Sequence, residues 1–200
     1  MFNLPTTQEI RSLHKQYAPT EEAFELVYTH CVIVEEIARQ LLRKKQLSDI
    51  DPELVRVGCL LHDIGVYLLY DDAGQLDHAN YIKHGILGYG VLKAEGLDES
   101  LCRFCSRHTG VGLTKDDVRV QQLALPVADY LAETPEERLL MYADKFHTKT
   151  DPPKLMTAVA YANYVRRFGS DKEVKFNRLR EEFGEPDLSA PAEEYELPIV

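Results

Sequence analysis

The feature that most restricts this chain is a pair of ionisable residues set where burial is expected. Leu54, Val57, Leu60 and Leu61 recur at helical spacing, and His62-Asp63 follow them directly. Leaving such a pair buried and unpartnered is costly, whereas ion pairing or metal ligation resolves it. Ile64-Gly65 come next, and the glycine lets the backbone turn away closely.

Four more residues share this kind of placement. His30 stands three residues after Val27 and four before Val34, on the core side of its helix; alone, it reads as a hydrogen-bonded core histidine. His84 lies with Gly85, Leu87, Gly88 and Val91, and glycines that weaken a helix suggest a closely approaching neighbour. His108 follows Leu101, Phe104 and Cys105 at helical intervals, and Asp144 stands one turn after Leu140. Each has a structural explanation by itself. Together, on different apolar helix faces, they point to metal. Four imidazoles and two carboxylates suit iron first, then manganese, zinc, nickel or cobalt, with magnesium a further candidate and calcium disfavoured. Helix-borne ligands converging inside a bundle can build a dinuclear site.

The expected fold class is all-α. A first helix spans about Thr6 to Tyr17, and a long one runs from Glu21 to Lys45 with Phe24, Val27, Cys31, Val34, Ala38 and Leu41 on its apolar face. Asp51-Pro52-Glu53 starts a third, which should continue through His62-Asp63-Ile64-Gly65. A polar loop, Asp71 to Asp77, precedes a helix from about Asn80 to Glu95, ended by Gly96. Asp98 begins a short helix that stops at His108-Thr109-Gly110. Thr134-Pro135-Glu136-Glu137 is a capping box for a helix carrying Leu139, Leu140, Ala143, Asp144 and His147. Asp151-Pro152-Pro153 should open another, ending near Gly169, and a last helix covers about Asp171 to Phe183. Residues 1–184 are expected to form one helical domain, with 185–200 an acidic, proline-containing and partly ordered tail.

Composition narrows the function. A net charge of −10 argues against nonspecific nucleic-acid binding, and no run of 18 apolar residues spans a membrane. The segment Met1 to Gln16 lacks the apolar core of a signal peptide, so a cytoplasmic protein is expected. Cys31 and Cys59 read as small core residues, and Cys102 and Cys105 as helix packing rather than a zinc or redox pair. In so acidic a protein, metal ions are an economical source of positive charge for a phosphorylated ligand.

The ordered set His30, His62-Asp63, Asp144 resembles the signature of the HD-domain superfamily, and His62-Asp63-Ile64-Gly65 resembles its HDIG variant. His84 and His108 match the extra histidines of the dinuclear members, and the resemblance covers about residues 21–168. It is best to small stand-alone phosphohydrolases, similar to the group that splits diadenosine tetraphosphate symmetrically, although Gly112 to Glu133 departs from that pattern. The resemblance implies one metal on His30, His62, Asp63 and Asp144, and a second on His84, His108 and a shared oxygen of Asp63. A water between the ions would attack phosphorus. Asp63 is thus a catalytic candidate. Lys83 and Arg107 are candidates for catalysis and substrate binding, with Thr109, Lys145 and Lys115 as further phosphate contacts. His147 is a candidate second layer behind the metal; His78 reads as solvated or on the cleft rim, and His14 as a surface residue. The expected substrate is a small phosphorylated molecule, with nucleotides as the first class to try, and a homodimer is a candidate assembly. Two other readings use the same ligands: a mixed-valence di-iron oxygenase, and a non-catalytic ligand-binding module.

Overall fold

Side-chain caps start most of the helices, and apolar stripes decide how they pack. The computed structural model describes residues 4–45 and 47–200; residues 1–3, and with them the start of the segment read against a signal peptide, lie outside the described residues. Helix α1 (Thr7–Tyr17) begins in a reciprocal box between Thr6 and Glu9. The long α2 (Glu21–Lys45) buries Phe24, Val27, His30, Cys31, Val34, Ala38 and Leu41 along one face. Helix α3 (Pro52–Leu61) starts on Asp51, whose carboxylate accepts from the N–H groups of Glu53 and Leu54. It stops at Leu61 rather than running on through Gly65. The chain passes His62 and Asp63 and tightens into 3-10 turns over Ile64–Leu69.

The helix expected from Asn80 also begins as 3-10 turns, His78–Lys83, and becomes α4 (His84–Ala94) only at the histidine. Helix α5 (Glu99–Arg107) is capped by Asp98. A short α6 (Lys115–Val120), absent from the sequence reading, is capped by a Thr114–Asp117 box. Helix α7 (Pro135–Ala143) starts at the expected Thr134 box but ends earlier than expected. Asp144 sits in the 3-10 turn Asp144–Phe146, and His147 lies on the strand β1 (His147–Thr148), which pairs antiparallel with β2 (Lys154–Leu155). This hairpin replaces the helix start expected at Asp151. Helix α8 (Ala158–Val165) begins later, on Thr157, and α9 (Ser170–Phe183) ends at Gly184.

The segment after Gly184 is not a loose arm. It forms α10 (Ser189–Glu194) and buries Leu188 and Pro191. The Gln40 side chain bonds the backbone N–H and carbonyl of Asp187 at 2.6 and 2.9 Å, and the Tyr195 hydroxyl donates to Glu36 at 2.9 Å. Leu155 N–H donates to the Pro198 carbonyl, and Val200 N–H to that of Leu155, both at 2.9 Å.

Helices α2, α3 and α7 pack on one another, α5 packs on α3 and α7, and α9 packs on α7 and α8. Each fully buried Leu, Val or Ile on these faces contributes about 1.5–3 kcal/mol. No helix among the described residues is long and apolar enough to cross a membrane. Helix α4 is placed by backbone contact rather than by large side chains. A Cβ at Gly65 would lie 2.1 Å from the carbonyl oxygen of His84 and 2.2 Å from the nitrogen of Gly88. One at Gly85 would lie 2.6 Å from the Cys105 carbonyl oxygen. The glycines let α4 press against both the stretch after Asp63 and α5, so His84 arrives beside Asp63 and His108.

His14 is a buried residue, not a surface one. Its ring bonds the Tyr67 hydroxyl at 2.9 Å and the Leu60 carbonyl at 2.7 Å, fastening α1 to the end of α3. Burial lowers its pKa to about 4, against the bond to Leu60.

Two outcomes follow. Gly65→Ala forces backbone apart and should destabilise the fold by about 3 kcal/mol, as read by urea unfolding. The neutral His14 ring contributes stability that is complete above its unfolded value of 6.5 and is lost as pH falls toward about 4. That contribution is on the order of 3 kcal/mol, and His14→Gln should flatten the fall in unfolding free energy over the same window.

Candidate metal centre

Two groups of donors meet at one carboxylate. His62 and Asp63 lie where α3 gives way to 3-10 turns, and both are fully buried. His30 reaches in from the middle of α2, and Asp144 from the turn after α7. His84 opens α4, and His108 caps the end of α5. One donor atom from each of His30, His62, Asp63 and Asp144 lies within 4.8 Å of the others, and the same holds for Asp63, His84 and His108.

The distances divide the labour of Asp63. Its Oδ2 lies 3.2 Å from His30 Nε2 and 3.4 Å from His62 Nε2. Its Oδ1 lies 3.6 Å from His84 Nε2 and 3.4 Å from His108 Nε2. Asp144 Oδ1 completes the first group, 3.0 Å from His30 Nε2 and 3.5 Å from His62 Nε2.

The outer ring nitrogens decide what the inner ones can do. His62 Nδ1 donates to the Cys59 carbonyl at 2.7 Å, His84 Nδ1 to that of Tyr81 at 2.7 Å, and His108 Nδ1 to that of Phe104 at 2.9 Å. A carbonyl only accepts, so the proton is on Nδ1 and a neutral ring presents a lone pair at Nε2. The Nε2 atoms of His84 and His108 lie 2.9 Å apart. Protonation does not relieve that contact: burial lowers the pKa of His84 to about 3 and lowers that of His108. Apart from the Lys149 ammonium against Oδ2, the oxygens of the buried Asp63 face only these ring nitrogens and meet no N–H or O–H donor with hydrogen-bond geometry among the described residues. Lone pairs converging on a buried carboxylate fit a divalent metal, and the imidazole and carboxylate donors fit a transition ion.

Both carboxylates are ionised. Burial would raise Asp63, but the Lys149 ammonium, His62 and the nearby rings of His108 and His30 hold it well below the usual carboxylate range. Burial opposes Asp144 in the same way and is outweighed by Lys145 and by bonds from His30 and His62. At His62 burial opposes charge, yet Asp63, Cys31 and Asp144 raise the ring well above its ordinary value, so a metal ion taking Nε2 as a ligand would displace a proton from it.

The outlying sequence candidates fall unevenly. Lys145 donates to Asp144 Oδ2 at 2.5 Å and to the His108 carbonyl at 2.9 Å, so it holds the site together rather than waiting free for substrate. Arg107 is turned to the Leu131 carbonyl and the Glu133 carboxylate. Lys83 is half-buried at the end of the 3-10 turns, with its charge near Asp77. Thr109 is half-buried and its carbonyl accepts from Gly112 N–H, while Lys115 is exposed at the start of α6. His78 is exposed. All four cysteines are buried and free.

Two residues went unread in the sequence. Lys149 pairs with Asp63 Oδ2, and Tyr81 places a buried hydroxyl near it. Lys149 follows a strand, where helical periodicity gives no signal. His147 takes the place expected of a second layer: its Nδ1 lies 2.8 Å from His30 Nδ1. His30 is thus backed by an imidazole where the other three rings are backed by carbonyls. His147→Phe removes that partner and should weaken metal binding by roughly 10–100-fold, measured by metal titration, while His147→Gln, whose amide can accept, should retain more of it.

A model of the HD domain family matches residues 27–149. An uncharacterized protein of Methanocaldococcus jannaschii is 39% identical over 129 residues, covering 62% of this chain and 69% of that protein. A tRNA (cytidine(56)-2'-O)-methyltransferase of Picrophilus torridus is 36% identical over 125 residues, covering 62% of this chain. The enzyme of the same name from Thermoplasma volcanium is 27% identical over 157 residues, 78% of this chain. The match spans only 32% and 41% of those two methyltransferases. Among solved structures, the HD domain of the phosphodiesterase PgpH from L. monocytogenes has a TM-score of 0.56 at 16% identity, over 93% of this chain and 98% of that one. The same domain in complex with cyclic-di-AMP has a TM-score of 0.55 at 17% identity, over 93% and 96%. At that identity the likeness is one of fold. The family match encloses His30, His62-Asp63, His84, His108 and Asp144 in one span, and the chain belongs to the HD domain family.

Proposed function

We propose that this chain is a metal-dependent phosphohydrolase that cleaves a phosphate ester or phosphoanhydride of a nucleotide at a dinuclear centre. The observation that carries the reading is the division of Asp63, with one oxygen toward His30 and His62 and the other toward His84 and His108. In this reading His30, His62, Asp63 and Asp144 hold one ion, and His84, His108 and Asp63 hold the other. The native metal is a divalent transition ion, iron first. Ions bound there supply Lewis acidity to a phosphoryl group and acidify water for attack on phosphorus.

The chain's own residues prepare that chemistry. The carbonyls of Cys59, Tyr81 and Phe104 fix three rings with Nε2 toward the centre. Lys145 orients Asp144 from its outer oxygen and leaves Oδ1 facing the histidines. Leu61 and Ile64, fully buried on either side of His62-Asp63 in the chain, keep this stretch out of water, and charge interactions there are the stronger for it.

A nucleotide as substrate has support from two sides. Two relatives are named for a reaction on tRNA, and a structural neighbour is seen with cyclic-di-AMP. Dinucleoside polyphosphates such as diadenosine tetraphosphate belong in the first substrate panel because of the sequence resemblance.

The test is metal analysis of purified protein, followed by an anaerobic panel of nucleotides with phosphate detection. About two equivalents of metal per chain are expected, with turnover lost on chelation. Asp63→Ala should lose metal and turnover together. Full hydrolysis by that variant in chelator sinks the reading, and oxygen uptake coupled to substrate loss replaces it with oxygenase chemistry.

A further inference from the structure

Two lysines alter the charge at the centre. Lys145 lies 2.5 Å from Asp144 Oδ2, and Lys149 pairs with Asp63 Oδ2, so each carboxylate of the cluster already has its own ammonium group. Divalent ions held among the histidines therefore keep their positive charge largely uncancelled. The two lysines are not equivalent. Lys145 is buried and divides its donors between Asp144 and the His108 carbonyl. Lys149 is 15% exposed over a fully buried Asp63, so its side chain links the buried carboxylate to the surface. Asp63 is its one ionic partner among the described residues. Close by, the buried Tyr81 hydroxyl lies against the Lys149 ammonium and has no acceptor for its own proton among the described residues. An ammonium with donors to spare and a hydroxyl whose proton has no acceptor form a place for anionic oxygens.

We propose that Lys149, with Tyr81 beside it, binds the phosphoryl oxygens of the substrate and selects terminal phosphate groups carrying two charges. The chemical class is a phosphomonoester or a terminal phosphoanhydride, in preference to a phosphodiester with one charge. The inference rests on the phosphohydrolase reading and deepens it. It ranks nucleoside mono-, di- and triphosphates ahead of dinucleoside polyphosphates, whose internal phosphates carry one charge each. A third cation beside the metals gains little from a singly charged group and more from a doubly charged one.

The experiment compares metal-loaded wild type, Lys149→Met and Lys149→Arg. Their metal content is measured, inorganic phosphate and dimethyl phosphate are titrated calorimetrically, and hydrolysis of p-nitrophenyl phosphate and bis(p-nitrophenyl) phosphate is followed. Wild type should bind phosphate about tenfold or more tighter than dimethyl phosphate. Lys149→Met should keep its metal, lose about tenfold in phosphate affinity and in monoester kcat/KM, and change little on the diester. Lys149→Arg should retain most of the preference. Equal phosphate affinity in wild type and Lys149→Met overturns the proposal, and so does loss of metal in that variant, which makes the lysine a structural counter-ion. If Lys149→Met does not fold, wild type that binds phosphate and dimethyl phosphate equally overturns it instead. If loaded wild type hydrolyses neither ester, the phosphohydrolase reading fails, while the phosphate titrations still decide whether Lys149 binds the anion.

Discussion

The buried carboxylate of Asp63 is the interaction on which the rest of the centre depends. A single charge with no water around it must be answered from several directions at once. Here it is answered by ring nitrogens from α2, α3, α4 and α5 and by the ammonium of Lys149. Each answering group has to be held by its own element. The fold can be understood as the set of supports for those groups: a long helix for His30, a helix end for His62, and a close backbone contact for His84. The bundle's apolar faces supply stability, but the polar cluster at their junction restricts which arrangement of those faces is acceptable.

The glycines of α4 show how packing and chemistry are joined. A helix that begins with a donor and continues with small residues can lie almost backbone to backbone on its neighbours. The distance between His84 and His108 is then set by main chain, which shifts less than side chains do. The same principle runs through the carbonyls that fix the outer ring nitrogens. Three of the four rings are oriented by backbone within their own helical turn, so their aim is built as the helix ends form.

Much of this was legible because ionisable residues at apolar helical spacing are conspicuous. His62-Asp63, His84, His108 and Asp144 each break an apolar pattern, and the structure gathers them. The helix starts at Thr6, Asp51, Asp98 and Thr134 were legible for a similar reason: a capping side chain acts over three residues. What stayed hidden acts over long separations or lacks a period. His14 is flanked by polar neighbours, and its partners Leu60 and Tyr67 lie 46 and 53 residues away. The short α6 has Val118 alone buried and offers no stripe. Arg107 and Lys83 were judged by adjacency to ligands, but neighbours on a helix diverge by about 100°, and Arg107 found Glu133 instead. Lys149 sits beyond a two-residue strand, where neither helical nor strand spacing marks an inward residue.

The segment Pro198–Val200 reaches the centre by a short mechanical route. Pro198 and Val200 bond to Leu155 on β2, Leu155 is opposite His147 on β1, and His147 backs the ring of His30. A displacement of Val200 is relayed through Leu155 and His147 to the ring of His30. Loosening Pro198–Val200 from β2 is therefore a perturbation of the metal-binding geometry itself, made from a segment that holds none of the ligands.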